Sequence, residues 1–134
     1  MKRLIQFAVA VSLMHLSGTS LKAQPRYEDR GDERYHRFGR EILDRIRGDL
    51  SRAERDLHYI AEPDLRRFQN TQANLGDFQR KWEHGRYDRV DLDRAIGGLN
   101  ALVDRGHLRP RDRDMLGDDL RRLRDLQDRI ERRR

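Results

Sequence analysis

From Tyr35 onward, apolar residues fall at 35, 38, 42, 46, 50, 53, 57 and 60, in steps of three and four. Such steps return to one face of a helix with 3.6 residues per turn, so they predict a long amphipathic helix. Pro63 should end it, because proline lacks an N–H and disfavours the helical region for the residue before it, while suiting the first turn of a new helix. A second helix is expected from about Pro63 to His84, with Leu65, Phe68, Leu75, Phe78 and Trp82 along one stripe and Gly85 as its C-terminal cap. A third, from about Arg89 to Arg105, carries Leu92, Ala95, Ile96, Leu99, Leu102 and Val103, and Gly106 should close it in the same way. A fourth follows Pro110 with Leu116, Leu120, Leu123, Leu126 and Ile130. No segment alternates with a period of two, so strands are not indicated. The expectation over residues 33–134 is a single all-α domain. It is a small bundle of about four amphipathic helices, or a helical hairpin with a bent partner, in which one long N-terminal helix precedes three shorter ones. At 1.5 Å per residue the first helix reaches about 40 Å, enough to protrude or to pair with another copy.

Residues 1–23 differ in kind from the rest. Met1-Lys2-Arg3 is basic, Leu4 to Leu16 is mostly apolar, and Ser17 to Ala23 is small and polar, the layout of a cleavable secretory signal peptide. The apolar run is shorter than the roughly 20 residues of a membrane-spanning helix, so removal is expected, after Ala23 or after Ser20. That places the protein in a periplasm or outside the cell with no transmembrane span. Removal takes Lys2, Arg3 and Lys22 with it and lowers the formal charge from +6 to +3. Leu120 to Arg134 holds seven arginines against Asp125, Asp128 and Glu131, so the C-terminal end alone is markedly basic. Residues 24–32 have no apolar face and read as a flexible lead-in. The absence of cysteine excludes disulfides and thiolate metal sites.

Leu, Ile, Val and Phe make up 23 of the 111 residues after Ala23, so the core must be thin and placement must compensate for quantity. Glycines at 39, 48, 97, 98 and 117 fall inside helices, where each costs about 1 kcal/mol against alanine. Gly97-Gly98 either admits a close helix contact or loosens the third helix.

The stretch His84 to Ile96, with Gly85 and aspartates at 88, 91 and 93, has the look of a calcium loop. With Gly85 as the sixth position of an EF-hand, however, Arg80, Trp82 and His84 would have to supply oxygen ligands, which they cannot. The chain repeats the pattern 21 residues later, Gly85 to Asp93 against Gly106 to Asp114. Each copy has a helix-ending glycine, an apolar plug (Tyr87, Leu108) and an acid in the next helix's first turn (Asp91, Asp112). Asp88 suits the cap of the third helix and Pro110 the first position of the fourth, so turn-forming accounts for these residues. The run FQRKWEHGRYDRVDLDRAIGGL, with LRPRDRDML after it, resembles a pattern in small exported all-helical bacterial proteins of uncharacterised function. The likeness spans about Phe78 to Leu126 and implies export and helices, with no activity to carry over.

Chemistry is poorly supplied. After Ala23 the hydroxyl nucleophiles are Ser51 and Thr71, both read as exposed helix positions without a histidine at helical spacing. Metal binding could use His36, His58, His84 and His107 with nearby acids; Glu54 and His58 stand at i, i+4 spacing but serve equally as a surface pair, and His84 and His107 flank the two turn glycines. Nothing selects a carboxylate pair for hydrolysis. No catalytic residue, metal or cofactor is expected. Glu41 with Arg45, Asp118 with Arg122, Asp125 with Arg129 and Asp128 with Arg132 are acid-first i, i+4 pairs, read as solvated helix faces. The leading functional expectation is a non-enzymatic exported protein working through contacts with an envelope protein or a second copy, with Trp82 and Tyr87 as contact residues. The alternative is a binder of anionic polymer or lipid headgroups through Arg121, Arg122, Arg124, Arg129, Arg132, Arg133 and Arg134, with nucleic acid not expected in an exported chain. A periplasmic stress chaperone comes third, since the LTxxQ motif of that helical type is represented only by the fragment Asn70-Thr71-Gln72.

Overall fold

The computed structural model describes residues 27–134 except residue 58, with side chains from residue 31 onward. The signal peptide expected over residues 1–23 and the start of the lead-in lie outside the described residues. Four helices and no strand occur among them: α1 (Tyr27–Asp56), α2 (Glu62–Glu83), α3 (Arg89–Arg105) and α4 (Pro110–Arg133). Each helix packs on the next, α1 also packs on α4, and the diagonal pairs do not meet, so the four form a closed ring. Side-chain partners give the directions. Gln72 and Gln79 of α2 bond to Glu54 and Asp44 of α1, and Arg124 and Gln127 of α4 bond to Asn100 and Asp93 of α3, so neighbours run antiparallel throughout. No described helix is long and apolar enough to cross a membrane.

The turns follow from local chemistry. Gly85 adopts φ +70°, the left-handed conformation that glycine enters without a Cβ penalty. Its N–H reaches the Trp82 carbonyl at 2.9 Å while that of Arg86 reaches the Lys81 carbonyl at 2.8 Å, which satisfies two orphan carbonyls in the Schellman manner. Asp88 caps α3 by accepting the Asp91 N–H at 3.2 Å, and Pro63 and Pro110 sit in the first turns of α2 and α4. Gly106 departs from expectation. Its φ of −71° is open to any residue, so it does not cap α3 as Gly85 caps α2. Glycine is required there by space, because a Cβ would lie 2.4 Å from the Leu102 carbonyl oxygen.

The core takes three fully buried large side chains from each helix: Leu43, Ile46 and Leu50; Phe68, Leu75 and Phe78; Leu92, Leu99 and Leu102; Leu116, Leu123 and Leu126. On α1 the buried stripe is turned by about one residue from the expected one, so Leu43 is central, Ile42 is half-buried and Phe38 is 39% exposed. The helix is also displaced along the chain. It ends at Asp56, leaving Leu57 and Ile60 in the connector, because an antiparallel reversal into Pro63 needs non-helical residues. It begins at Tyr27, over much of the expected lead-in, where no proline opposes propagation from a helix already nucleated downstream.

α2 and α3 approach most closely. A Cβ on Gly98 would lie 2.3 Å from the hydroxyl of Thr71, which is wholly buried and donates to the Arg67 carbonyl at 2.7 Å. Thr71 is therefore a packing residue and not the exposed position expected. A second tie joins the far ends of these helices. Asp64, 3% exposed in the first turn of α2, accepts the His107 backbone N–H at 3.1 Å, and its carboxylate also meets the His107 Nδ1 at 2.8 Å and Arg67 at 2.6 Å. Burial alone would push its carboxyl up, but the bonds from His107 and Arg67 outweigh that and hold it below the ordinary carboxylate range.

Two consequences can be measured by urea unfolding followed by helical circular dichroism. Gly98→Ala should lose about 1–3 kcal/mol through overpacking against Thr71. Gly97→Ala, where a Cβ meets nothing within 4 Å, should gain up to about 1 kcal/mol from helix propensity. Asp64→Ala should cost about 1–3 kcal/mol at neutral pH by leaving the His107 N–H unpaired. Because the native carboxyl is depressed, its contribution exists above the ordinary value of 3.8 and fades as pH falls, so the deficit should shrink on acidification.

Candidate functional site

The third turn of α1, the end of α4 and the α2–α3 turn meet at one end of the ring. Phe78 and Trp82 stack with centroids 6.0 Å apart, Tyr35 packs edge-on to Trp82 at 5.5 Å, His36 lies 4.6 Å from Trp82, and Tyr87 stands edge-on to Phe78 at 6.1 Å. Arginines of α4 and the Arg134 that follows it cover this aromatic cluster and its rim. Arg133 lies 4.2 Å over the Tyr35 ring, Arg134 lies 4.8 Å over Tyr87, and Arg129 lies 5.2 Å over Phe38. Such placement holds a guanidinium by the negative face of the ring while its remaining N–H donors stay in water. Burial raises both the Tyr35 and the Tyr87 hydroxyl above the ordinary tyrosine value, so both are neutral donors at physiological pH.

The seven arginines do not act alike. Arg121 pairs with Asp118 on its own helix and Arg124 donates to Asn100 of α3 at 3.0 Å. Arg122, Arg129, Arg132, Arg133 and Arg134 make no ion pair with a carboxylate among the described residues, and of the four acid-first pairs expected from the sequence none forms. Arg45 instead turns to Asp49 and Asp119, and Arg129 to Phe38. Tyr87 is half-buried beneath Arg134. Trp82, on the apolar stripe expected of the second helix, is 4% exposed and fitted against Gly39, where a Cβ would lie 2.8 Å from the indole nitrogen. It is a core residue because Gly39 lets α1 close over it.

The remaining candidates are accounted for by structure. Lys81 donates to Asp88 and, at 2.6 Å, to Asp91, so an ammonium stands between the two aspartates that suggested a calcium loop. These bonds raise the lysine and lower Asp88. His84 bonds to the Arg80 carbonyl and His107 to Asp64, at opposite ends of the α2–α3 pair, which excludes a site bridged by the two histidines. No group of three histidine or acidic residues suited to a metal occurs among the described residues, and His58 lies outside them. Ser51 is half-buried on α1.

One pair was not selected by sequence. Asp119 of α4 is 0% exposed and neither of its carboxylate oxygens has a hydrogen-bond partner; Asp49 of α1, 8% exposed, faces it. Arg45 is 3.9 Å away and half in solvent. Burial first, and the neighbouring Asp49 second, push the Asp119 carboxyl up to about 6. A raised carboxyl can serve general acid–base chemistry, but this one is sealed between two helices and no substrate could reach it. The signal was present: position 119 completes the steps 116, 119, 123, 126 and 130 on the buried face of α4.

No protein-family model matches this chain, and no curated protein or solved structure matches it.

The acid pair makes a prediction of its own. A carboxyl raised in the folded state contributes stability that is full below 3.8 and is lost as pH rises through about 6. Asp119→Asn, which cannot ionise, should therefore melt higher than the parent at pH 7.5 and lose that advantage near pH 4. The interval sets an upper bound of about 3 kcal/mol. Thermal melts across this range, with equal stability of the two proteins at both ends, would contradict the assignment.

Proposed function

We propose that this chain is an exported, non-enzymatic binding protein whose working surface is the arginine-bearing end of the bundle, and that its partner is anionic. Export rests on the layout of residues 1–23. The observation that carries the reading is that Arg122, Arg129 and Arg132 to Arg134 have no carboxylate partners among the described residues, while three of them rest on the aromatic faces of Phe38, Tyr35 and Tyr87. Aromatic support holds a guanidinium in place without neutralising it, so less side-chain entropy is lost when an anion arrives. A helix C-terminus also favours cations through its dipole, but that accounts for charge in the last turn and not for rings beneath it.

A second reading, contact with an envelope protein or a second copy, is supported by length. α1 has 30 residues and α4 has 24, about 45 and 36 Å, so the opening turns of α1 extend past its neighbour. Inorganic polyphosphate distinguishes the two. The anionic reading expects binding that weakens steeply with salt, and an Arg132→Gln, Arg133→Gln, Arg134→Gln variant should lose roughly one unit of the log–log salt slope for each contact removed. Binding absent at low ionic strength, together with concentration-dependent dimerisation in analytical ultracentrifugation, would transfer the function to the second reading.

A further inference from the structure

Along the seam between α1 and α4 runs a groove of about 220 Å³, with Phe38, Ile42 and Leu126 as its apolar wall and Arg122, Asp125 and Arg129 on its rim. Among the described residues, Phe38 is one of the few large apolar side chains left exposed, and Arg129 lies across its ring. Arginines recur on one face of α4 at 122, 129 and 133, the last lying over the Tyr35 ring. Asp125 opposes an incoming anion, but it lies three residues from Arg122 and four from Arg129, and the rim remains net positive.

We infer that the α1–α4 groove, with Phe38 and Ile42 set beneath Arg122 and Arg129, is a docking face for the surface of an anionic phospholipid bilayer. The inference rests on the anionic-partner reading above and names the partner. A soluble polyanion could use the arginines but has nothing to place against the exposed Phe38 and the half-buried Ile42 beside it. A bilayer interface offers both chemistries at the right depth: phosphates in the headgroup layer and acyl carbon just below. An arginine lying on a phenylalanine suits that boundary, because its long apolar stem lets the guanidinium rise to a phosphate while the ring beneath is freed to enter the interface. One apolar contact and a cluster of arginines act together, as the two signals that stable interfacial binding requires.

The test uses the protein purified as the cell exports it, with its N-terminus fixed by mass spectrometry, and variants sharing that N-terminus. It is sedimented with vesicles of phosphatidylcholine, with vesicles also containing phosphatidylglycerol, and separately titrated with inorganic polyphosphate. The expected result is sedimentation with phosphatidylglycerol vesicles alone and its loss at raised salt. Phe38→Ser should weaken vesicle binding about tenfold or more relative to Phe38→Leu, which equally lacks the ring under Arg129 but keeps apolar bulk, while the two variants bind polyphosphate within about twofold of each other. Arg122→Gln with Arg129→Gln should weaken binding to vesicles and to polyphosphate alike. Helical circular dichroism establishes that each variant is folded, and the partial exposure of Phe38 makes folding tolerant of its loss. Polyphosphate binding without vesicle binding, or vesicle binding that ignores Phe38→Ser, overturns the docking face and leaves the anionic reading standing. Binding to neither overturns both.

Discussion

The close approach of α2 to α3 sets the geometry on which the other helices depend. Gly98 has no Cβ to hold the backbones apart, and the Thr71 hydroxyl, satisfied by the Arg67 carbonyl, fills the space a side chain would have taken. With that spacing fixed, Asp64 can span from the first turn of α2 to the backbone of His107, where the chain turns from α3 into α4. The start of α4 is thus positioned by a carboxylate on a different helix. Lys81 performs the corresponding task at the other end, joining α2 to the cap and first turn of α3 through Asp88 and Asp91. A thin core is held in register by polar ties at both ends of one helix pair.

The helices and their turns could be read from the chain because each rests on local chemistry. Apolar spacing, Pro63, Pro110, Gly85 and the Asp88 cap act within a few residues of themselves, and α3 runs over the residues expected. What depends on two helices meeting was less legible. Nothing near Gly106 in sequence says that Leu102 crowds it, and nothing near Thr71 says that Gly98 faces it. Spacing alone could not centre the α1 stripe on Leu43 and not on Ile42, because an edge position beside α4 and a central one differ by a single residue of rotation. Asp119 could have been found: an acid on an otherwise apolar face is a departure that asks for a reason.

The candidate site divides in the same way. The excess of arginine near the end of α4 was plain in the sequence, and so was the scarcity of nucleophiles. The aromatic rings beneath three of those arginines come from α1 and from the turn after α2, far away in sequence, so no pattern along α4 announces them. Trp82 and Tyr87 seemed a natural pair, only five residues apart, yet Gly39 draws one into the core while the other stays at the surface under Arg134.

The position of Asp49 and Asp119 bears on how the bundle assembles. Three seams of the ring join helices consecutive in the chain, whereas the α1–α4 seam closes a loop that contains everything between them, so its contacts form against the largest chain-entropy cost. The facing carboxyls of Asp49 and the wholly buried Asp119 sit in that seam. Docking of α1 onto α4 is therefore the step of folding on which the protonation of Asp119 bears, and native-state hydrogen exchange in these two helices is the measurement that reads it.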